Sequence, residues 1–404
     1  MGTKKPEVAI LGGGVMGFSI AYNLAKRGVS CQVIEMDSIA AKASGRNEGG
    51  VSSPALLGIF FATPFSPPYA LQPCVKIFEE TFFGQPKLVK ELQEMTGLDI
   101  EFADTPCLVP AFSEEDEKFI KRHVSLAQSK VGESKGYETR WLESGELKAI
   151  YPALSPEIRG AALSGMWQLE PYRYVLALAQ GAEALGASIE IVEATGFRTR
   201  GKRVTSVTLS KGREVETEKV VIAMGPWSSK AASWLGVKIP LKAIKAQALK
   251  VQSSQKLPMY ALAWGEPSGN GPFIHPTVRG PILAGYHEDR PENWDDSQPE
   301  TWDDRPTEKA RDWLIAGMLR GVPALDDAML IEARCGILGF APDSLPVFGN
   351  LPGWENVYIG AGLGTVGNSL SPAASRLICD LVVEGDRAEK AKERLAALSP
   401  SRFV

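Results

Sequence analysis

The chain has 404 residues and a formal net charge of −4, with 44% hydrophobic and 23% charged residues. That length buries a full core and, at about 150 residues per domain, predicts two to three domains. The slight acidity excludes a nucleic-acid partner, which needs a basic surface, and three histidines (His123, His275 and His287), none in an HExxH spacing, leave no histidine-rich metal site.

Any hard chemistry is therefore expected from a borrowed cofactor, with no metal. The five cysteines, Cys31, Cys74, Cys107, Cys335 and Cys379, are odd in number, far apart and without a CxxC. A disulfide framework or zinc ribbon is not expected. The N-terminus runs straight into a strand pattern without a signal-peptide layout, and with reduced thiols this points to the cytoplasm.

In chain order, Val8-Ala9-Ile10-Leu11 predicts a short buried strand that ends in Gly12-Gly13-Gly14-Val15-Met16-Gly17. A helix is predicted over 18–27, stopped by Gly28, and a second strand over 30–34 ends at Glu35. Strand, glycine turn, helix, strand and acid make up a dinucleotide-binding βαβ unit. Gly12 permits the tight turn, Gly14 lets the backbone approach a pyrophosphate, and Gly17 lets helix and strand pack closely. The helix N-terminus, with Val15 and Met16, offers N–H groups and a positive dipole end to the phosphate. Glu35, followed by Met36, stands where a carboxylate accepts ribose hydroxyls and repels a 2′-phosphate, so FAD or NAD is favoured over NADP.

The next segment contains Ser44-Gly45-Arg46-Asn47-Glu48-Gly49-Gly50. Small residues allow close backbone approach, and Arg46 brings a fixed positive charge suited to phosphate or a flavin edge. From 49 to 75 there is no charged residue and there are five prolines. This stretch is too broken to span a membrane. It reads as a pocket wall or lid, a protein-partner interface, a membrane-resting loop, or buried connecting structure.

Helices are predicted over 87–96, 114–130, 142–150 and 173–185, and strands over 99–102 and 188–192. The runs 204–209 and 214–218 flank Lys211-Gly212, a hairpin signal. A buried strand over 220–223 leads into Met224-Gly225-Pro226-Trp227-Ser228, and strand-like segments over 273–286 are broken by Gly280-Pro281. The acidic stretch 290–305 reads as a solvated excursion. A last strand, from Val357, enters a second glycine turn, Gly360 to Gly367, and a helix follows over 370–384. That turn is another anion site, so both chain ends are expected to build one nucleotide-binding domain.

Four ordered motifs carry a resemblance: Ser44-Gly45-Arg46-Asn47, Ala223-Met224-Gly225-Pro226-Trp227-Ser228, Ala341-Pro342-Asp343-Ser344-Leu345-Pro346, and Gly360 to Gly367. On these the chain resembles the D-amino-acid oxidase-like flavoproteins: glycine and sarcosine oxidases, D-amino-acid dehydrogenases, and dye-linked proline dehydrogenase subunits. The resemblance implies an α/β fold, a Rossmann-like FAD-binding domain interleaved with a mixed-sheet, α+β substrate domain that roofs the flavin. Two domains are then expected, with 1–85, 145–228 and 330–404 binding FAD and 86–144 and 229–329 forming the substrate domain.

The resemblance further implies non-covalent FAD, with the Ala194 backbone at the adenine. Ser44, Arg46, Asn47, Gly49, Gly50, Gly225, Trp227 and Gly336 are expected along the cofactor, and Gly362, Gly364, Thr365, Val366 and Gly367 at the pyrimidine end of the flavin. Cys335 stands one position out of register for a covalent link. The implied reaction is transfer of the Cα hydride of an amine or amino acid, imino acids included, to flavin N5, giving an imine that water hydrolyses. Rival readings are an α-hydroxy-acid or polyol flavin dehydrogenase, or an FAD-bearing electron-transfer or scaffold subunit docking through 49–75.

Departures from the family pattern leave the substrate open. Where relatives carry cations for a substrate carboxylate, this chain has Leu338, Thr365 and Ser369. Arg334, Arg46, Tyr260, Tyr286 and His275 are the remaining candidates for that role. With Thr365, the first two and Tyr286 form the expected catalytic set. Leu283 stands where oxidases of the family have an oxygen-activating Lys. This favours a dehydrogenase passing electrons to a quinone, a carrier or a partner subunit over one using O2.

Overall fold

Val8–Leu11 is fully buried between two parallel neighbours, Cys31–Glu35 and Lys219–Ile222. A strand covered on both faces reads as a continuous apolar run, which is why it was legible. A computed structural model describes residues 5–60, 72–131, 139–264, 271–287 and 303–404. Its first sheet has six strands in the order Val347–Asn350, Val357–Ala361, Lys219–Ile222, Val8–Leu11, Cys31–Glu35 and Ser188–Ile191. All pairs are parallel except the Val347–Asn350 edge. Both chain ends therefore meet in one sheet, as expected from the two glycine turns.

Three helices, Val15–Lys26, Pro171–Ala184 and Gly367–Glu384, cover one face, with Tyr22, Tyr174 and Ile378 in the core between them. The other face meets a small antiparallel sheet, Ala194–Arg200, Arg203–Leu209 and Glu214–Glu216, through Val204, Val207 and Leu209. Lys211 and Gly212 turn that hairpin at positive φ, as predicted.

The second sheet has eight strands in the order Met329–Phe340, Lys242–Gln252, Ile282–His287, Phe273–Pro276, Ala261–Leu262, Cys107–Ala111, Gly160–Ser164 and Arg140–Glu143. It is mixed, because Ala261–Leu262 and Cys107–Ala111 run parallel. Its outer face packs on the helix Glu308–Gly321 through Leu249, Ile282, Leu314 and Met318. Gly160–Ser164 and most of Met329–Phe340, drawn from the segments 145–228 and 330–404, pair here and not in the parallel sheet.

Several elements differ from the sequence expectation. The strand expected over 99–102 is absent. Asp99 Oδ1 accepts from Glu101 N and Gln93 Oε1 from Ile100 N, while Glu101 sits at φ 56°, so pairing starts only at Ala103–Asp104. The helix expected over 87–96 begins at Val75 and carries Pro86 inside it. The helix expected over 142–150 is Ser144–Ile150, and its first residues belong to the strand Arg140–Glu143. Lys242–Gln252 was not anticipated at all. Its polar residues Lys245 and Gln247 are buried with partners, Asp303 at 3.3 Å and the Thr307 N–H at 2.7 Å.

In the uncharged stretch, the helix Pro54–Phe60 follows the strand Gly50–Ser52, and Leu56 and Ile59 are buried. The described part is thus buried structure, and 61–71 lie outside the described residues. Of the acidic stretch, 290–302 lie outside them too, while Asp303 and Asp304 form ion pairs with Lys245, Lys42 and Arg46 and are not simply solvated. Among the described residues no helix is long and apolar enough to cross a membrane.

Candidate active site

The first glycine turn is held by its own backbone and by Glu35. One carboxylate oxygen of this buried acid accepts from Gly13 N at 2.6 Å, and the other from Asp37 N at 2.9 Å. A side chain at Gly17 would place its Cβ 1.9 Å from Gly12 O, and Gly12 itself sits at φ 107° with Ala223 O in the way. These two glycines are demanded by close packing. Gly14 differs, since a Cβ there would meet only Ser44 Oγ, at 2.9 Å. That hydroxyl accepts from Val15 N at 3.0 Å, at the start of the helix.

This turn opens onto a cavity of about 420 Å³ that runs between the two sheets. At one end lie Met36, Glu193 and Ala194, and at the other Trp264, Phe273 and His275 from the mixed sheet. The second glycine turn borders it with Gly362, Gly364, Thr365 and Val366, and the helix N-terminus there with Gly367 and Asn368. The turns touch, since a Cβ on Gly360 would lie 3.1 Å from Met16 Cγ. Asn47 ties the 44–50 segment to the helix after the second turn, accepting from Asn368 Nδ2 at 3.0 Å and from Gly49 N at 2.8 Å.

The roof is set by strand register. Arg334, Ala248, Gly285 and Phe273 stand directly opposite one another across four strands, so their side chains share a face. Ala248, Gly285 and Phe273 line the cavity. Glu48 fills the space over Gly285, because a Cβ there would fall 1.5 Å from Glu48 Oε1. Enclosure pushes the Glu48 carboxyl up to about 7, against the pull of Arg334's charge.

The Glu48 carbonyl accepts from Gln168 Nε2 at 2.5 Å, and Gln168 Oε1 lies 2.7 Å from His275 Nδ1. The amide oxygen can only accept, so Nδ1 carries the proton, and burial pulls His275 down to about 4. His275 is a neutral ring at physiological pH.

The cavity gathers nearly all the residues expected at the cofactor: Gly12, Gly14, Val15, Met16, Glu35, Met36, Ser44, Arg46, Asn47, Gly50, Ala194, Gly225, Trp227, Gly336 and the terminal turn. Gly17 and Gly49 do not line it. Their absent side chains make room for Gly12 O and Leu169 O instead. Arg46 lines the wall, but Asp304 at 3.2 Å and Cys335 O at 2.9 Å already engage its guanidinium.

Arg334 does not line the cavity. Its buried side chain pairs with Glu332 at 3.0 Å, and its Nη1 has no hydrogen-bond partner. Tyr260 is brought elsewhere, packing with Tyr151 in the core on the outer side of the roof sheet. Ser369 is buried and accepts from Ser52 N at 3.1 Å. The Tyr286 side chain lies outside the described residues. Sequence reasoning missed Glu48 and Gln168. An acid amid the glycines of segment 44–50 was the one available signal.

A parallel sheet with a glycine turn, an acid at the second strand and a long cavity at the strand ends defines a dinucleotide-binding protein of the α/β class. The profile of the family described as DAO, FAD dependent oxidoreductase, matches residues 7–381, and the chain belongs to this family. Its cofactor is FAD, and the glycine-edged cradle fits it. The chain is 28% identical over 405 residues to the glycine oxidase of Geobacillus kaustophilus, covering 100% of this chain and 98% of that one. It superposes on the crystal structure of glycine oxidase from that organism with a TM-score of 0.84 at 25% identity, covering 100% of both chains. Against mitochondrial sarcosine dehydrogenase of Mus musculus it is 25% identical, covering 95% of this chain and 40% of that one. L-proline dehydrogenase from P. horikoshii shares the fold with a TM-score of 0.76 at 24% identity, covering 99% of this chain and 98% of that one.

Proposed function

We propose that this chain oxidises a small primary or secondary amine or amino acid, imino acids included, to an imine that water hydrolyses. FAD held in the cavity would supply the two-electron acceptor for the Cα hydride. The observation carrying this reading is the single cavity that joins the first glycine turn to the roof of the mixed sheet. The glycine oxidase and sarcosine dehydrogenase relatives support an amino donor.

In this reading Glu35 and Ala194 hold the adenosine end, and Gly12, Gly14, Val15 and Ser44 the pyrophosphate. Arg46, Asn47, Gly50, Gly225, Trp227 and Gly336 flank the rest. The helix N-terminus at Gly367, with Thr365, would stabilise negative charge that reduction puts on the flavin. Attachment is non-covalent, because Cys335 packs against Ala243, Ile337 and Trp227 and its burial pushes the thiol up to about 11. The roof excludes water and holds the amine close to the ring, which is the main demand of hydride transfer.

A dehydrogenase is favoured over an oxidase. Leu283 is neutral and buried beside His275 in the roof, where a cation would favour superoxide formation. Anaerobic mixing of the holoenzyme with amines, D- and L-amino acids, imino acids, lactate and glycerol phosphate tests the reading. Bleaching by amino compounds is expected, followed by faster reoxidation with a quinone than with O2. Bleaching by lactate or glycerol phosphate alone would overturn it.

A further inference from the structure

We infer that Glu48 receives the substrate nitrogen, holding its ammonium form through the carboxylate and taking one proton from it. The neutral amine then stands ready for oxidation. This deepens the amine reading above and rests on it.

The placement is specific. Among the described residues that line the cavity, Glu48 is the carboxylate set over Gly285 of the mixed sheet, and the lining guanidinium that reaches this sheet, Arg46, is engaged by Asp304 and Cys335 O. The other lining acids, Glu35 and Glu193, belong to the opposite end. Glu35 is committed to Gly13 N and Asp37 N. Of the lining cations, Lys42 pairs with Asp37 and Asp304, Arg46 pairs with Asp304, and Lys230 is an exposed residue at the end of the turn Gly225–Lys230. Glu48 therefore offers the roof's carboxylate to a cation.

The carboxylate lies over Gly285, where no side chain competes, with small Ala248 opposite that glycine on one side and Phe273 on the other. Its backbone is clamped by Gln168 Nε2, which is oriented in turn by His275.

The step balances without an added oxidant. An N–H bond of the ammonium breaks, its electron pair stays on nitrogen, and the proton goes to a Glu48 carboxylate oxygen. The proton returns to water after product leaves. Burial that lifts Glu48 to about 7 suits a proton acceptor near neutral pH.

The groups facing Glu48 are few. Arg334 reaches it from Met329–Phe340 and favours its ionised form. His275, on Phe273–Pro276, is neutral, and Gln168 is uncharged. Arg46, on its own segment, is engaged by Asp304 and Cys335 O. Gly285, on Ile282–His287, brings no charge. Arg334 acts on substrate only through Glu48 and is a positioning residue.

The test uses tert-butylammonium, which has no Cα hydrogen and cannot be oxidised, with pivalate as its anionic counterpart. Binding to the holoenzyme is read from perturbation of the flavin visible spectrum. The ammonium stays cationic between about pH 6 and 9, so any pH dependence belongs to the protein. We expect wild type to bind it more tightly as pH rises through about 7, and Glu48→Gln to weaken it about tenfold or more and flatten the profile. Glu48→Asp should restore part of the affinity. Gly285→Ala, whose Cβ displaces the carboxylate, should reproduce the loss with Glu48 intact.

Binding in Glu48→Gln within about twofold of wild type, or wild type preferring pivalate, would overturn the inference. If binding falls in Glu48→Gln while no amine reduces the flavin, the cation site stands and the oxidation reading fails. If amines reduce the flavin and Glu48→Gln binds unchanged, the reverse holds.

Discussion

In the parallel sheet, Gly17 is kept small by backbone: its Cβ would lie 1.9 Å from Gly12 O. In the mixed sheet, Gly285 is kept small by a side chain, the Glu48 carboxylate 1.5 Å from where its Cβ would be. A main-chain oxygen inside a packed turn cannot give way, whereas the end of a glutamate can swing aside. At these two positions the floor is fixed by main chain, while the roof over Gly285 is adjustable, and the proposed amine site lies on the adjustable side.

The sharpest way to break this contrast is substitution of the two kinds of glycine. Gly17→Ala should give no folded, FAD-loaded protein, read by flavin content and thermal melting. Gly14→Val should keep an apo fold melting near wild type and lose FAD, because its side chain meets Ser44 Oγ and then the cavity. A fully yellow Gly14→Val would place the pyrophosphate elsewhere.

Glu48→Gln should stabilise the protein in a pH-dependent way. The folded carboxyl sits at about 7 against 4.5 unfolded, so the wild type is favoured in its protonated form. That advantage is complete below about 4.5 and is lost as pH rises through about 7. Ionised Glu48 then costs up to about 3 kcal/mol, and the variant should gain more in melting temperature at pH 8 than at pH 5. An equal gain at both would show that Glu48 is not enclosed.

Arg334→Ala removes the charge that pulls Glu48 down, so tert-butylammonium binding should weaken several-fold near pH 7 and recover toward about pH 9. A uniform loss at every pH would mark Arg334 as structural only. Smallest is Asn368→Ala, which removes the 3.0 Å bond to Asn47 between the helix Gly367–Glu384 and the 44–50 segment. It should cost about 1 kcal/mol in chemical denaturation.

The same contrast explains what could be read from the residues alone. The floor depends on neighbours in sequence. Val8 to Glu35 holds strand, turn, helix and acid within one local pattern, and Gly360 to Gly367 repeats the device. The roof depends on register between distant strands. Nothing local brings Arg334 opposite Ala248, or Ala248 opposite Gly285, and Lys242–Gln252 hides its strand character because its buried Lys and Gln find partners far along the chain. Arg46 read as a free cation because Asp304 lies 258 residues away. Glu48 was in plain view within a glycine-rich segment, but only the fold shows that Gly285 makes room for it. Tyr260 was misplaced for the same reason, as its strand neighbours turn it to the outer core.

The most direct measurement is the anaerobic rate of flavin reduction by one reacting amine, followed across pH 6 to 9 in wild type and Glu48→Gln. A floor that holds FAD and a roof that receives the amine predict a wild-type rate that climbs through an inflection near 7, with a slower profile in the variant that lacks it. Superimposable profiles in the two proteins would contradict the account.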